Sequence, residues 1–435
     1  MTAEVAVMNK TAVALAADSA MTVSVANARK TYPTNKLFAL SKHHPIGIMI
    51  YNNAEFMNVP WETIVKMYRQ QLGTSSKSTV QEYAEDFLGY IGNAAICTDE
   101  QCQSNLLRIS NDLFQRIAWD VRNRLNDNTP GGALDVSALI HTVVNEHMAA
   151  LASVGEASSM QHIDADALVR EHEAAVYEVI DHRFREIAIN ESLRQSLCDV
   201  LTAFIKSETR SSGYSGLVFA GFGQDEILPS LVEVVTDGSI ANTVKGYVKN
   251  VVDLDRDGIQ TSINAFAQSE MVGRFMNGVD NELMSYLENY IDALLTKTTS
   301  DLVEAEDAGA TLGENQISAI RAVVQTELAD FHQAMASFCR SRFVEPVLGI
   351  VRHLPKEELA SMAEALVNLT SLKRRVSMEE ETVGGPIDVA VISRGDGFIW
   401  IKRKHYFDPS LNRDYFERRS PHHTQREANS EVQAV

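Results

Sequence analysis

Apolar residues along this chain change period several times, and the changes mark out its elements. Val5-Ala6-Val7-Met8 and Thr11 to Ala17 are short β-branched or alanine-rich runs separated by Asn9-Lys10, which predicts two strands joined by a tight hairpin near the amino terminus. Ser19 to Asn35 is polar and Ala-rich with Pro33 and reads as a connecting segment; Lys36 to Leu40 resumes as a strand. Ile46 to Tyr51 is a buried strand ending in Asn52-Asn53. A helix then begins near Pro60, carries Ile64, Tyr68 and Leu72 on one face, and stops at Gly73.

From about Thr79 to Ser207 the period is helical, as in Leu106, Leu113, Ile117 and Val121, with a break at Thr129-Pro130-Gly131-Gly132. Strand character returns at Gly216 to Phe222 and at Ile227 to Thr236, the latter closed by Asp237-Gly238. A second helical block covers roughly Ile263 to His353, interrupted by the acidic stretch Asp301 to Asn315. Pro355 opens a helix through Leu372, and Pro386 to Ser393, Gly395-Asp396-Gly397 and Phe398 to Lys402 predict a hairpin. Strands thus fall at the start, middle and end, and the last hairpin needs neighbours to bury its apolar residues. The arrangement predicts one α/β (α+β) domain over 2–405, with helical insertions at about 79–207 and 265–353 and a polar tail at 406–435.

Composition narrows the function. With 435 residues, 45% of them hydrophobic, the chain can bury a large core. Its net charge of −19, from 58 acidic and 39 basic residues, argues against a nucleic-acid binder, which carries a basic footprint. No run of 18 apolar residues is present, which argues against a membrane span. Glu4 and Asp18 interrupt the apolar start and no basic segment precedes it, so a cytoplasmic protein is expected. Cys97, Cys102, Cys198 and Cys339 form no CxxC pair and are expected as buried free thiols. Asp253, Asp255, Asp257 and Gly258 begin like a calcium loop, but its twelfth position is Asn264 instead of a bidentate Glu. His43-His44 and His422-His423 are adjacent pairs poorly placed to chelate one ion, and Gly213 to Gly223 lacks the GxGxxG spacing. No metal and no cofactor are expected.

The candidate chemistry lies at the start. Removal of Met1, favoured by a small second residue, would leave Thr2 with a free α-amino group, whose reference pKa of roughly 7.7–8.0 suits a general base for its own hydroxyl. A lysine near that amine disfavours its protonated form, and a carboxylate paired with the lysine holds it in place. Asp18 ends one predicted strand and Lys36 opens the next. Singly, each has an ordinary reading, as a second residue, a turn former and a solvated strand residue.

Val13 to Ser19 (VALAADS), Asn35 to Leu40 (NKLFAL) and the glycine-containing strand after them resemble the start of proteasome β-type subunits and their bacterial relatives, the N-terminal nucleophile (Ntn) hydrolases of the threonine peptidase class. Leu217 to Phe222 followed by Leu231 to Ser239, and Thr382 to Ile392 with Asp396-Gly397, are similar to the family's central hairpin and last two strands. The matches cover about a third of the chain; the helical blocks lie outside them. The resemblance implies a four-layer αββα sandwich and a catalytic trio of Thr2, Asp18 and Lys36. It also implies a backbone oxyanion donor aligned with Tyr51-Asn52, with Tyr51 taken as the donor, its side chain crowding the substrate, and Met49 and Asn53 as neighbouring substrate contacts.

The family's supporting Asp and Ser before a late Gly-Gly align with Glu380 and Val383, Thr382 being the nearest hydroxyl, and a second supporting serine aligns with the region of Gln268 and Ser269. In function, the resemblance implies a threonine-type peptidase acting on peptide or unfolded polypeptide, self-associating as a homo-oligomer, with an ATP-dependent unfoldase as partner if it degrades folded proteins. An inactive scaffold or binding subunit, and an Ntn amidohydrolase acting on a small amide, are the alternatives.

Overall fold

The first two apolar runs form the hairpin of β1 (Ala3–Asn9) and β2 (Ala12–Ala17), and both strands are buried on both faces. A computed structural model describes residues 2–25, 28–92, 96–127, 136–185, 187, 189–304, 314–377 and 383–414. The remaining strands are β3 (Ala20–Val25), β4 (Ala28–Pro33), β5 (Leu37–Ala39), β6 (Ile46–Asn52), β7 (Glu55–Phe56), β8 (Val59–Pro60), β9 (Ser215–Gly221), β10 (Ser230–Ile240), β11 (Thr243–Asp253), β12 (Thr261–Ala267), β13 (Asp388–Ser393) and β14 (Gly397–Lys402). The helices are α1 (Trp61–Leu72), α2 (Val80–Ile91), α3 (Asp99–Asp127), α4 (Val136–Ala152), α5 (Ala165–Glu171), α6 (Glu173–Arg183), α7 (Glu191–Lys206), α8 (Glu270–Asn277), α9 (Asn281–Glu304), α10 (Glu314–Cys339), α11 (Glu345–Val351) and α12 (Lys356–Val376).

The fold is α+β. Two antiparallel five-stranded sheets run in the orders β12-β1-β2-β13-β14 and β11-β10-β9-β6-β5. Side-chain alternation explains how both faces of β1 and β2 come to be buried. Val13, Leu15, Ala6 and Met8 share one apolar cluster with Leu37, Met49, Val218 and Leu231 of the other sheet. Ala3, Val5, Val7, Ala12, Ala14 and Ala16 point the opposite way, against Leu359, Ala363 and Leu366 of α12. The small alanines of β2 let that helix approach closely. Outside the other sheet, Ile48, Phe219 and Val232 pack against Trp61 and Tyr68 of α1 and Phe87 of α2. Helices α3 to α7 pack chiefly on one another, and Ile240 of β10 joins their cluster.

Four features differ from the sequence reading. The segment from Ser19 to Asn35 contains the β3–β4 hairpin, because Thr22, Val23, Thr31 and Tyr32 supply β-prone residues inside a polar stretch. β10 continues through Asp237-Gly238, where a bulge absorbs the glycine (φ +88°), and the turn falls at Ala241-Asn242, both with positive φ. β11 escaped notice because its outer half mixes Lys249 and Asn250 with valines. Ile263 belongs to β12, paired with β1 at Val7, so helix resumes at Glu270 and not near 263. The break at 129–132 lies outside the described residues.

Among the described residues no helix is long and apolar enough to cross a membrane, and no group of three or more His, Cys, Asp or Glu side chains could hold a metal ion. Asp253, Asp255 and Asp257 accept backbone N–H bonds that shape the turn after β11. Cys97, Cys102 and Cys198 are buried free thiols, and Cys339 is half-buried.

Candidate active site

Thr2, Asp18 and Lys36 meet where β1 begins, β2 ends and β5 begins. Lys36 Nζ donates to Thr2 Oγ1 at 3.0 Å and to Asp18 Oδ1 at 2.7 Å. All three residues are buried, at 3%, 1% and 6% exposure, so the ion pair works away from bulk solvent, where it is screened little. Asp18 is fully engaged: Ala3 N–H also donates to Oδ1, and Ala20 N–H and Gly384 N–H donate to Oδ2. These bonds fix the carboxylate against the starts of β1 and β3 and the loop at Gly384, and it in turn fixes Lys36.

The late Gly-Gly loop clasps the same corner. Ser19 N–H donates to Gly384 C=O at 3.2 Å and Ser19 Oγ donates to Pro386 C=O. Gly385 takes φ +77°, which an L-residue adopts with strain. Glu380 and Thr382, named from the sequence as supporting residues before this loop, lie outside the described residues. On the opposite side, Gln268 N–H donates to Thr2 C=O at 3.1 Å, and Arg374 Nε donates to Gln268 Oε1 at 2.7 Å. Ser269, the next residue, is exposed; its C=O accepts from Gly273 N–H at the start of α8.

The residues of β6 sit differently from expectation. Tyr51 does not stand in an open cleft: its ring is 2% exposed, packs edge-on to Tyr214, stacks on Phe266, and donates its hydroxyl to Glu233 Oε1 at 2.5 Å. Burial first, then the neighbouring Glu233 carboxylate, pushes that phenol far above its ordinary range. Gly216 makes room for the ring; a Cβ there would lie 1.9 Å from it. Met49 is wholly buried in the core between the sheets. Asn53 donates to Gly213 C=O and lines a separate cavity of about 100 Å³ with Asn105, Arg108 and Gly238.

Strand alternation also turns the Tyr51 N–H away from Lys36. Ile50 N–H donates to Lys36 C=O at 2.9 Å, so the main-chain groups of Tyr51 face β9, where it is paired with Gly216. The N–H of Asn52 opposes the Tyr51 carbonyl across a trans peptide and therefore faces the Lys36 side again. Asn52 takes φ +69°, a conformation Asn tolerates better than most residues.

Sequence reasoning missed one titratable neighbour. Glu4 is 0% exposed, and neither carboxyl oxygen has a hydrogen-bond partner. Burial raises its pKa well above the ordinary carboxylate range; Lys36 opposes the rise and Asp18 adds to it. The signal that could have found it is the period of β1, where Thr2, Glu4, Ala6 and Met8 alternate onto one face.

No protein-family model matches this chain, and no curated protein matches it. Among solved structures, the Anbu (Gly-1) mutant from Hyphomicrobium sp. strain MC1 aligns over the whole of both chains at 9% identity and a TM-score of 0.28. The helical assembly of the Anbu complex from Pseudomonas aeruginosa aligns with all of this chain and 96% of its own at 10% identity and a TM-score of 0.26. Likenesses at this level carry no functional argument, and the reading of the site rests on its own geometry.

Proposed function

We propose that this chain is a proteasome-like threonine-type hydrolase of amide bonds, built as a four-layer αββα sandwich with helical insertions, whose nucleophile is Thr2 after removal of Met1. The observation that carries the reading is the single Lys36 ammonium bonded at once to Thr2 Oγ1 and Asp18 Oδ1 in a buried corner. Thr2 Oγ attacks the amide carbonyl while the Thr2 amine accepts its proton. The amine then passes that proton to the departing amine, leaving an ester on Thr2 that water hydrolyses. The Lys36 ammonium stabilises charge developing on Oγ and disfavours protonation of the neighbouring amine, Asp18 positions Lys36, and the Asn52 N–H is the oxyanion donor.

Intact-mass analysis before and after a threonine-directed epoxyketone tests this. The expected result is a chain lacking Met1 that gains one adduct, which Thr2→Ala abolishes. A native chain that keeps Met1 sinks the proposal, because Thr2 then has no free amine to act as base.

A further inference from the structure

Two residues along β1 from Thr2, on the same face, lies a carboxyl that the proposed chemistry does not use. Side chains two apart on a strand are separated by roughly 7 Å along it, which places Glu4 directly behind Thr2. Its cross-strand partners are Ala17 and Phe266, both in the apolar core between the sheets, so neither neighbour offers a donor. The other polar groups of that core face are already committed. The Tyr51 hydroxyl donates to Glu233, which also receives Lys249, and Asp388 accepts from the backbone N–H and the ammonium of Lys404. What remains within electrostatic reach of Glu4 is the Lys36–Asp18 pair and, two residues back along the strand, the Thr2 amine.

We propose that Glu4 is a positioning residue of this site, an inference that rests on the reading of Thr2 as nucleophile. As a neutral acid behind Thr2, it leaves the Lys36 ammonium shared between Asp18 and Thr2. On ionising, with its proton passing to solvent, it becomes a competing counter-charge that holds the Thr2 amine protonated and Thr2 unreactive. A buried carboxyl without a donor favours its neutral form, since ionising it there forfeits solvation that nothing nearby replaces. The Glu4 position therefore couples the protonation of the core to the availability of the base.

The test uses the full chain lacking Met1 and reads two quantities. The first is the pH dependence of epoxyketone adduct formation on Thr2 in the native protein, Glu4→Gln and Glu4→Met. Both variants are expected to match the native rate at the acid end, where Glu4 is neutral, and to exceed it severalfold over the higher pH range in which Glu4 is ionised and the native amine is still protonated, which a packing role alone would not do. The second, independent of Thr2 chemistry, is the infrared carbonyl stretch of a protonated carboxyl. It should be lost in Glu4→Gln and persist to higher pH in Lys36→Met. Rate profiles that superimpose over the whole pH range, or a protonated-carboxyl signal unchanged by Glu4→Gln, overturn the role of Glu4 alone. Absence of any Thr2 adduct in the native protein, with the infrared signal behaving as expected, overturns the nucleophile reading and the regulatory role with it.

Discussion

Two carboxylate–cation pairs in this molecule, each with a buried carboxylate, look alike and are finished differently. Asp237, on β10, accepts from Arg108 of α3 at 3.0 Å and from the backbone N–H and hydroxyl of Ser211. Asn105 bonds the Asp237 and Ser239 carbonyls, and Arg108 Nε is bonded to Asn105. Every partner there is a fixed structural group, and together they pin α3 onto the bulge at Gly238. At Asp18 the cation is a lysine whose second contact is a hydroxyl beside the chain terminus, with an unsatisfied carboxyl, Glu4, behind it. The first pair closes a joint; the second leaves a threonine hydroxyl oxygen under a positive charge.

Removing each cation's role should separate the two. Lys36→Met should lower Thr2 adduct formation by about 10²–10⁴-fold, the range of a positioned acid–base group, while circular dichroism stays native. A change of similar size on Arg108→Met would erase the distinction. Asp237→Ala removes the counter-charge of Arg108 and the acceptor of two Ser211 donors and should cost about 3 kcal/mol in denaturant melts. That is the low end for breaking a buried pair, because Arg108 is 38% exposed and keeps contact with water. Its adduct rate at Thr2 should stay native.

Near the Asp237 joint, Lys245 gives a smaller effect with a definite pH signature. Its ammonium donates to Phe204 C=O at 2.5 Å and lies over the Phe204 ring, yet burial lowers its pKa to about 7, with Asp237 opposing the shift. In the unfolded chain it titrates near its ordinary value, about 10.4. Its folded pKa is depressed, so the penalty for burying the ammonium is full below about pH 7, shrinks as pH rises, and is gone above the unfolded value. Lys245→Met should therefore raise thermal stability most at or below pH 7, by an amount on the order of 1–2 kcal/mol, and not at all near pH 11.

The same contrast explains what could be read from the sequence. Thr2, Asp18 and Lys36 were legible because each stands at the end of a strongly apolar strand, where spacing translates directly into position. The Asp237 joint was not, since Asp-Gly is a turn signal by local preference and only the partners of Asn105 and Arg108 hold the strand extended through it. β12 was hidden by its neighbour α8, whose helical period starts three residues after the strand ends. Its Thr261 and Ile263 alternate as strand residues do, but only pairing to β1 decides the matter. The side to which the Asn52 N–H turns depends on which way one peptide faces, and that is set by the register of the β5–β6 pairing through the Ile50–Lys36 bond.

The smallest expected effect concerns Glu4, and its sign distinguishes it from Asp18. Burial raises the folded pKa of Glu4, so the unfolded chain releases this proton at lower pH than the folded one. Below the unfolded value, about 4.3, the group is neutral in both states and linkage adds nothing. As pH rises through and beyond it, the unfolded state is increasingly favoured, until Glu4 also ionises in the fold. Glu4→Met, of similar volume and apolar, should therefore be close to neutral in stability at pH 4 and stabilising by about 1 kcal/mol or more at pH 8, measured by denaturant melts across that range. Asp18→Asn should destabilise at pH 8, because it leaves Lys36 without its counter-charge and sets an amide N–H₂ against donors. If Glu4→Met instead destabilises at pH 8 as Asp18→Asn does, Glu4 is a partnered structural carboxylate, and the difference drawn between the two buried acids fails.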